Sequence, residues 1–211
     1  MSAGDPPTFV FGYGSLAFES AVIPSRTFAS GGFVADLGGF QRSWGVAMDN
    51  RRDLPGYKYY TDDRGSRPAV YVAFLAIRPW AQASVNGVCV PVDDNRLAEL
   101  DVRERNYERV DVSDRLGLDG VRVWTYLASA AGRRRLTRGR ELGRVVIDAN
   151  YLGLVRGAFQ RLGDAEYEVC APSLAPGDLQ VLDLARVDLE TGDPLRRRFA
   201  PVRGAEAAPT G

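Results

Sequence analysis

A glutamate at the end of a predicted helix is the residue best placed for acid–base chemistry. Residues 93–104 offer aspartates suited to an N-cap followed by good helix formers. At about 100° per residue, Leu97 and Leu100 define the inward face, and Glu104 projects between their directions. Burial of an unpaired carboxylate and the negative end of a helix dipole both favour the protonated form. Glu104 therefore has the properties of a general acid/base that works near neutral pH.

The arginines around this glutamate offer a second interpretation. Glu104 could pair with Arg103, Arg105 or Arg109, or it could extend into solvent at the helix end. In that case its role would be structural only. The residues themselves leave both interpretations open.

A glycine-rich turn near the N-terminus is the second candidate. The stretch "FVFGYGSL" (9–16) is an apolar strand that runs into Gly12, Tyr13, Gly14 and Ser15. Glycine could serve here because it reaches backbone angles that other residues adopt only at a cost. Alternatively, the turn could bring bare backbone N–H groups close to an anionic ligand.

The composition excludes several kinds of chemistry. The chain has no histidine, which rules out serine–histidine and cysteine–histidine catalysis and imidazole metal ligands. Its two cysteines, Cys89 and Cys170, stand in apolar surroundings, so we expect buried structural thiols and no metal site. Lys+Arg and Asp+Glu both total 27, which gives no basic excess for nucleic acid. Arginine-rich segments at 132–140 and 194–199 are interpreted as solvated basic faces, with an anion-binding patch as the alternative.

The pattern along the chain predicts one α+β domain over residues 8–200. Short runs rich in β-branched and aromatic residues, separated by Gly and Pro, indicate a mostly antiparallel sheet or barrel. The predicted strands are 8–13, 33–40, 42–49, 69–77, 84–92, 107–116 and 121–128. The polar segment 51–68 is expected to be a loop over the sheet, and 148–163 a helix buried through Leu152, Val155, Phe159 and Leu162. Residues 204–211 are expected to form a disordered tail.

The termini and the apolar runs indicate a location. No apolar run approaches the roughly 20 residues that span a membrane. The N-terminus lacks the basic and apolar regions of a secretory signal. We therefore expect a cytoplasmic protein with no membrane or nucleic-acid partner.

Three segments in order resemble the γ-glutamylcyclotransferase-like family. They are "YGSL" at 13–16, "GFQRSWGVAMDN" at 39–50 and "LDVRERNYERVDV" at 100–112. In that family a Tyr-Gly-Ser-x loop follows the first strand, and a Leu-Asp-x-x-Glu segment with a later tyrosine supplies the catalytic glutamate. The resembling pattern extends from about residue 8 to 163, and it implies a small, mostly antiparallel β-barrel flanked by helices.

The resemblance implies a role for each matching residue. Glu104 would be the catalytic acid/base, and the loop from Tyr13 to Leu16 would bind the α-carboxylate of a γ-glutamyl group. Gly14 would allow close approach and Ser15 would add a hydrogen bond. Further pocket residues, with core packing as the alternative for each, are Tyr13, Tyr107 and Tyr126.

The implied reaction is cyclisation of a γ-glutamyl amide to 5-oxoproline. It needs no metal, no cofactor and no covalent intermediate, and the partner is a small-molecule substrate. The chain has "RERNY" where the glutathione-specific branch has Gly-Tyr after Arg-Glu, and Leu16 where other branches have asparagine. The sequence therefore does not assign the leaving amine. It does not assign the oligomeric state either. The alternative is a catalytically silent member that binds γ-glutamyl or amino-acid ligands.

Overall fold

A computed structural model describes residues 6–19, 31–53 and 56–189. The strands are β1 (Thr8–Gly12), β2 (Phe33–Asp49), β3 (Lys58–Thr61), β4 (Tyr71–Pro91), β5 (Tyr107–Asp111), β6 (Arg122–Ala128), β7 (Val145–Asp148), β8 (Gln180–Leu182) and β9 (Ala185–Asp188). The helices are α1 (Leu16–Glu19), α2 (Asp94–Arg103), α3 (Ala130–Glu141), α4 (Ala149–Leu162) and α5 (Asp164–Cys170). Among the described residues, no helix is long and apolar enough to cross a membrane.

The long strand β4 organises the main sheet. Strand order is β5-β6-β1-β4-β7-β8, and β2 pairs with β4 along nearly its whole length. The ladders of β4 with β1 and β2 and of β5 with β6 are antiparallel, whereas the short β1–β6, β4–β7 and β7–β8 ladders are parallel. A mostly antiparallel sheet flanked by helices confirms the predicted α+β class. No ladder among the described residues joins β5 to β8, so the barrel is not closed by strand pairing.

Two pairs of predicted strands are in fact single strands. Predicted strands 33–40 and 42–49 form β2, and predicted strands 69–77 and 84–92 form β4. Register shifts between Gly38 and Phe40 and between Trp44 and Val46 let the long hairpin bend without ending. Gly39 has a φ of +80°, which explains why a glycine stands where the sequence indicated a break.

The two predicted helices are present and bury the expected faces. Helix α2 begins after Asp93, whose side chain accepts a 2.7 Å hydrogen bond from the Arg96 N–H. Leu97 and Leu100 of α2 are buried, as predicted. The four residues predicted to form the stripe of α4 are buried as well: Leu152, Val155, Phe159 and Leu162.

The loop predicted over 51–68 is only partly a loop. Residues 58–61 within it form β3, which pairs with β9 in a separate two-stranded sheet. Both strands are short and polar, so neither carries a strong alternating pattern. The predicted tail at 204–211 and the arginine-rich segment 194–199 lie outside the described residues.

Both cysteines are buried free thiols, as their apolar surroundings predicted. Burial raises the pKa of Cys89 to about 12. The pKa of Cys170 is also raised, chiefly by burial. Neither thiol is therefore a ready thiolate nucleophile at neutral pH.

Candidate active site

The candidate site lies along an open edge of β4. β7 pairs with the start of β4 and β1 with its end, so between them the edge opposite β2 has no strand partner among the described residues. The Tyr107 hydroxyl donates a 2.7 Å hydrogen bond to the Leu75 carbonyl. Tyr151 and Tyr13 place their hydroxyls against the backbone of Leu75 and Ile77, respectively. Three phenols thus satisfy backbone groups that a neighbouring strand would otherwise pair.

The loop at 13–16 reaches this edge through its glycine. A Cβ placed on Gly14 would lie 3.3 Å from the Tyr151 hydroxyl oxygen and 3.9 Å from Leu75 Cβ. Gly14 is not among the glycines with positive φ, so its backbone angles do not require glycine. The group that approaches Gly14 here is the Tyr151 hydroxyl, so close approach of an anionic ligand at this turn stays a prediction.

The backbone of the loop leads directly into helix α1. The Gly14 and Ser15 carbonyls accept hydrogen bonds of 3.0 and 3.1 Å from the N–H groups of Ala17 and Phe18. No described residue accepts a hydrogen bond from the N–H groups of Gly14 and Ser15. Anion binding by these two donors stays a prediction.

Glu104 caps the C-terminus of α2, and its side chain is 16% exposed. Its N–H donates to the Leu100 carbonyl at 2.8 Å, and its own carbonyl accepts from Tyr107 N–H at 2.9 Å. These two bonds connect the buried face of α2 to the start of β5. Arg103 Nε donates a 3.1 Å hydrogen bond to Glu104 Oε1. Glu104 is therefore both turned toward the site and paired with an arginine.

Glu104 lies among phenols and one ammonium group. Its negative charge acts on Tyr13, Tyr57, Lys58, Tyr107, Tyr126 and Tyr151. Burial is the main cause that raises the pKa of the five phenols, to about 12 for Tyr57, and the Glu104 charge raises each further. At neutral pH these hydroxyls keep their protons and act as hydrogen-bond donors or acceptors around the carboxylate.

Tyr126 has a supporting position. Its hydroxyl donates a 2.8 Å hydrogen bond to Asp101 Oδ1 on α2, and its carbonyl accepts the Tyr13 hydroxyl at 2.6 Å. Leu16 packs in the same cluster as Leu100 and Tyr126. These contacts connect the loop to the end of α2 through Tyr126.

Three residues at the site, Tyr57, Lys58 and Tyr151, were not singled out by the sequence. Tyr151 stands at the edge, and its ring packs edge-on against Phe74 with centroids 5.1 Å apart. Tyr57 and Lys58 approach from the β3 segment, and Lys58 Nζ lies 4.6 Å from the Phe74 ring centroid. The tyrosines of "GYKYY" stood in a segment that we interpreted as a covering loop, where a lysine flanked by three tyrosines was the available signal.

Arg42 lies behind the tyrosines and is buried. Its guanidinium stacks 4.7 Å from the Phe159 centroid and donates to Asn86 and to Ser173 Oγ, the latter at 3.3 Å. Its positive charge lowers the pKa of Tyr13, although burial dominates there. Arg42 thus supplies positive charge below the loop, in the segment "GFQRSW" that resembles the family.

The arginine-rich stretch 132–140 lies mostly on helix α3. Arg138 is exposed and pairs with Glu141 at 3.1 Å, as expected for a solvated face. Arg135 differs, because its Nε donates to the Ala47 carbonyl at 2.8 Å and its NH2 group to Asn106 Oδ1 at 2.6 Å. The prediction of a solvated face holds for Arg138 and is wrong for Arg135, which fastens α3 to β2.

The fold and the site define an α+β domain in which Glu104, with its side chain 16% exposed, ends the buried face of α2. The family model described as "Gamma-glutamyl cyclotransferase, AIG2-like" matches residues 10–144. The match spans more than half of the chain and includes both the 13–16 loop and Glu104. The protein therefore belongs to this family. No curated protein sequence matches the chain.

Solved structures with a related fold are similar to the chain at low identity. A structure described as a gamma-glutamyl cyclotransferase is 14% identical, with 78% of this chain and 86% of that chain covered and a TM-score of 0.43. An uncharacterized human protein is 14% identical, with coverage of 77% and 86% and a TM-score of 0.46. A glutathione-specific gamma-glutamyl cyclotransferase from yeast is 14% identical, with coverage of 80% and 97% and a TM-score of 0.42.

Proposed function

We propose that the protein is a γ-glutamyl cyclotransferase that converts a γ-glutamyl amide to 5-oxoproline and a free amine. The observation that carries this proposal is the position of Glu104. Its carboxylate stands at the end of a buried helix face, among phenols, with the open β4 edge and the Gly14 loop beside it. Family membership supports the same reaction type.

The proposed chemistry is an intramolecular aminolysis. The α-amine of the γ-glutamyl group attacks its own γ-carbonyl carbon, which forms a C–N bond and a five-membered ring. The amide C–N bond then breaks, and the leaving nitrogen takes a proton. A well-oriented intramolecular attack of this kind reaches effective molarities of about 10⁵–10⁸ M. The main task of the protein is to hold the folded conformer and move one proton.

Glu104 is proposed to carry that proton. The carboxylate accepts a proton from the attacking amine and returns it to the departing nitrogen, so the glutamate ends the cycle unchanged. The N–H groups of Gly14 and Ser15 are proposed to bind the α-carboxylate, which fixes the amine relative to the γ-carbonyl. Tyr13, Tyr107 and Tyr151 are proposed to shape the pocket around the ring that forms.

The direct test is incubation with a panel of γ-glutamyl amides and detection of 5-oxoproline by mass spectrometry. The reaction is run in ¹⁸O-labelled water, because hydrolysis would place the heavy oxygen in released glutamate. Unlabelled 5-oxoproline supports the proposal. Labelled glutamate as the primary product would overturn it in favour of hydrolysis.

The Arg103 ion pair favours a second candidate function. A Glu104 carboxylate held by Arg103 could serve only to position the helix end, in a silent member that binds γ-glutamyl or amino-acid ligands. Such a protein would bind a γ-glutamyl amide without releasing 5-oxoproline. Calorimetric binding measured beside the turnover assay separates the two functions.

A further inference from the structure

Lys58 is a partly buried cation held over aromatic rings. Its Nζ lies 4.6, 5.6 and 5.9 Å from the ring centroids of Phe74, Tyr57 and Tyr60. The ammonium makes no hydrogen bond or ion pair with any described residue. Buried cations are normally paired, because removal of a charge from water is costly. Among the described residues, Glu104 and Asp188 act on Lys58 electrostatically, but no carboxylate contacts its ammonium group directly.

The acidic residue nearest along the sheet is already engaged. Asp188 stands directly across from Lys58 in the β3–β9 pair. However, its Oδ1 accepts two hydrogen bonds from Arg186, at 2.6 and 2.8 Å. Glu104 acts on Lys58 electrostatically from the site, but its Oε1 is bonded to Arg103. Both neighbouring carboxylates thus have arginine partners of their own.

Burial disfavours the charged form of this ammonium group. Burial, with the Arg186 charge second, lowers the pKa of Lys58 to about 8. The group is still mostly protonated at neutral pH, so it presents a positive charge at the site. An anion bound beside it would relieve the cost of this burial.

The position of Lys58 suggests which part of a substrate it meets. Phe74 and Leu75 are consecutive in β4, so their side chains lie on opposite faces of the strand. Gly14 approaches Leu75 on one face, and Lys58 stands over Phe74 on the other. Tyr151 connects the two sides at the open edge, because a Cβ on Gly14 would lie 3.3 Å from its hydroxyl and its ring centroid lies 5.1 Å from that of Phe74. The charge of Glu104 reaches both Tyr13 of the loop and Lys58.

If the γ-glutamyl head of a substrate lies at Gly14 and its scissile amide lies at Glu104, its leaving group would extend toward Lys58. We propose that Lys58 determines specificity by binding a carboxylate on the leaving amine, so that the substrate is a γ-glutamyl amino acid. This inference rests on the proposed cyclotransferase function. In such a substrate the carboxylate is two bonds from the departing nitrogen, close enough for both groups to be held at once. A neutral alkylamine offers no such anion.

The test compares two substrates that differ only in that charge, γ-glutamyl-alanine and γ-glutamyl-alaninamide. We expect the wild type to prefer the carboxylate by about 10- to 100-fold in kcat/KM, the range of one charged hydrogen bond. Lys58→Met should lose about that factor on γ-glutamyl-alanine and change less than about threefold on the amide. Lys58→Arg should recover part of the preference.

Arg105→Met is the matched control, since Arg105 is an exposed cation 5.7 Å from the same Tyr57 ring. It should leave both substrates within about threefold of wild type. An equal loss on both substrates in Lys58→Met would overturn the inference, because Lys58 would then act on the γ-glutamyl head or on proton transfer. No loss on either substrate would overturn it as well. If Lys58→Met fails to fold, the same comparison is made with Lys58→Gln and with the two substrates on wild type.

Failure of the proposed function gives a different result. If wild type turns over neither compound, the affinities for both are measured by calorimetry. Tighter binding of γ-glutamyl-alanine, lost in Lys58→Met, would keep the Lys58 assignment in a binding protein. Equal affinity for the two compounds would reject it.

Discussion

The Cα of Gly14 faces the hydroxyl of Tyr151, such that a Cβ at residue 14 would lie 3.3 Å from that oxygen. This separation is tighter than an ordinary van der Waals contact. The loop can therefore pack closely against the open edge of β4 because residue 14 has no side chain. Residue 14 must therefore remain small for this contact to form.

Gly14→Val should therefore weaken substrate binding without unfolding the protein. Its methyl groups would enter the space beside Tyr151, so we expect KM to rise by about tenfold or more. Gly153→Val is the control, because a Cβ at Gly153 on α4 meets nothing within 4 Å. A wild-type KM in Gly14→Val would contradict the role of this loop in binding the α-carboxylate.

Tyr107→Phe should lower stability. The change leaves the Leu75 carbonyl without its 2.7 Å donor on an edge that no strand pairs. We expect a loss of about 1–2 kcal/mol in the free energy of unfolding, measured by urea denaturation. Tyr59→Phe is the control, since the Tyr59 hydroxyl makes no hydrogen bond to a described residue. Equal stability of the two variants would mean that the edge is satisfied in another way.

The sequence was sufficient for the parts of the site that depend on local pattern. Leu97 and Leu100 fixed the orientation of α2, and the direction of Glu104 followed from helical periodicity. The Gly14 loop was visible because glycine and serine followed a short strand. Both inferences use residues within one or two turns of each other.

The other parts of the site depend on contacts between segments that the sequence does not place together. Tyr151 lies in the first turn of α4, and the sequence around it indicates only an amphipathic helix. Its hydroxyl meets the backbone of Leu75 because α4 lies beside a stretch of β4 that has no strand partner among the described residues. Lys58 looked like a loop residue, because β3 and β9 are four residues each and pair across a large sequence separation. The Arg103 partner of Glu104 was one of three arginines in reach, and only the turn at residue 104 selects it.

The stability of Lys58→Met relative to wild type should depend on pH. The pKa of Lys58 is lowered from 10.5 to about 8 by burial and Arg186, against opposing effects of Glu104 and Asp188, while Arg103 lowers it further. The unfolded state therefore binds more protons between about pH 8 and 10.5. The buried charge lowers the free energy of unfolding of the wild type most below pH 8, and that loss is reversed as the pH rises through this window.

We expect Lys58→Met to be more stable than wild type at pH 7, by an amount on the order of 1 kcal/mol. That advantage should shrink as the pH rises from 8 toward 10.5, because the folded wild-type lysine then loses its proton while the unfolded chain keeps it, so the wild type gains stability. Urea denaturation of both proteins at pH 7, 8.5 and 10 measures the difference. A difference that is constant with pH would show that Lys58 is as well solvated as a surface lysine.

Glu104→Gln tests the catalytic role most directly. Glutamine preserves the size of the side chain and can still accept the Arg103 hydrogen bond, but it cannot carry a proton. We expect kcat to fall by about 10²–10⁴-fold, the usual effect of losing a general acid/base, while affinity for a γ-glutamyl ligand stays close to wild type. The melting temperature should change little, because a partly exposed ion pair contributes about 0–1 kcal/mol.

Two further variants separate catalysis from structure. Glu99→Gln, on the exposed face of the same helix and paired with Arg96 at 2.9 Å, removes one carboxylate and should leave kcat within about twofold. Arg103→Gln removes the other half of the Glu104 ion pair. If Glu104 acts as the acid/base, Arg103→Gln keeps most of the activity that Glu104→Gln loses, because the carboxylate remains in place. If Glu104 serves only to hold Arg103, the two variants should lose stability alike and retain similar kcat, and Glu104 would then not be the acid/base of the reaction.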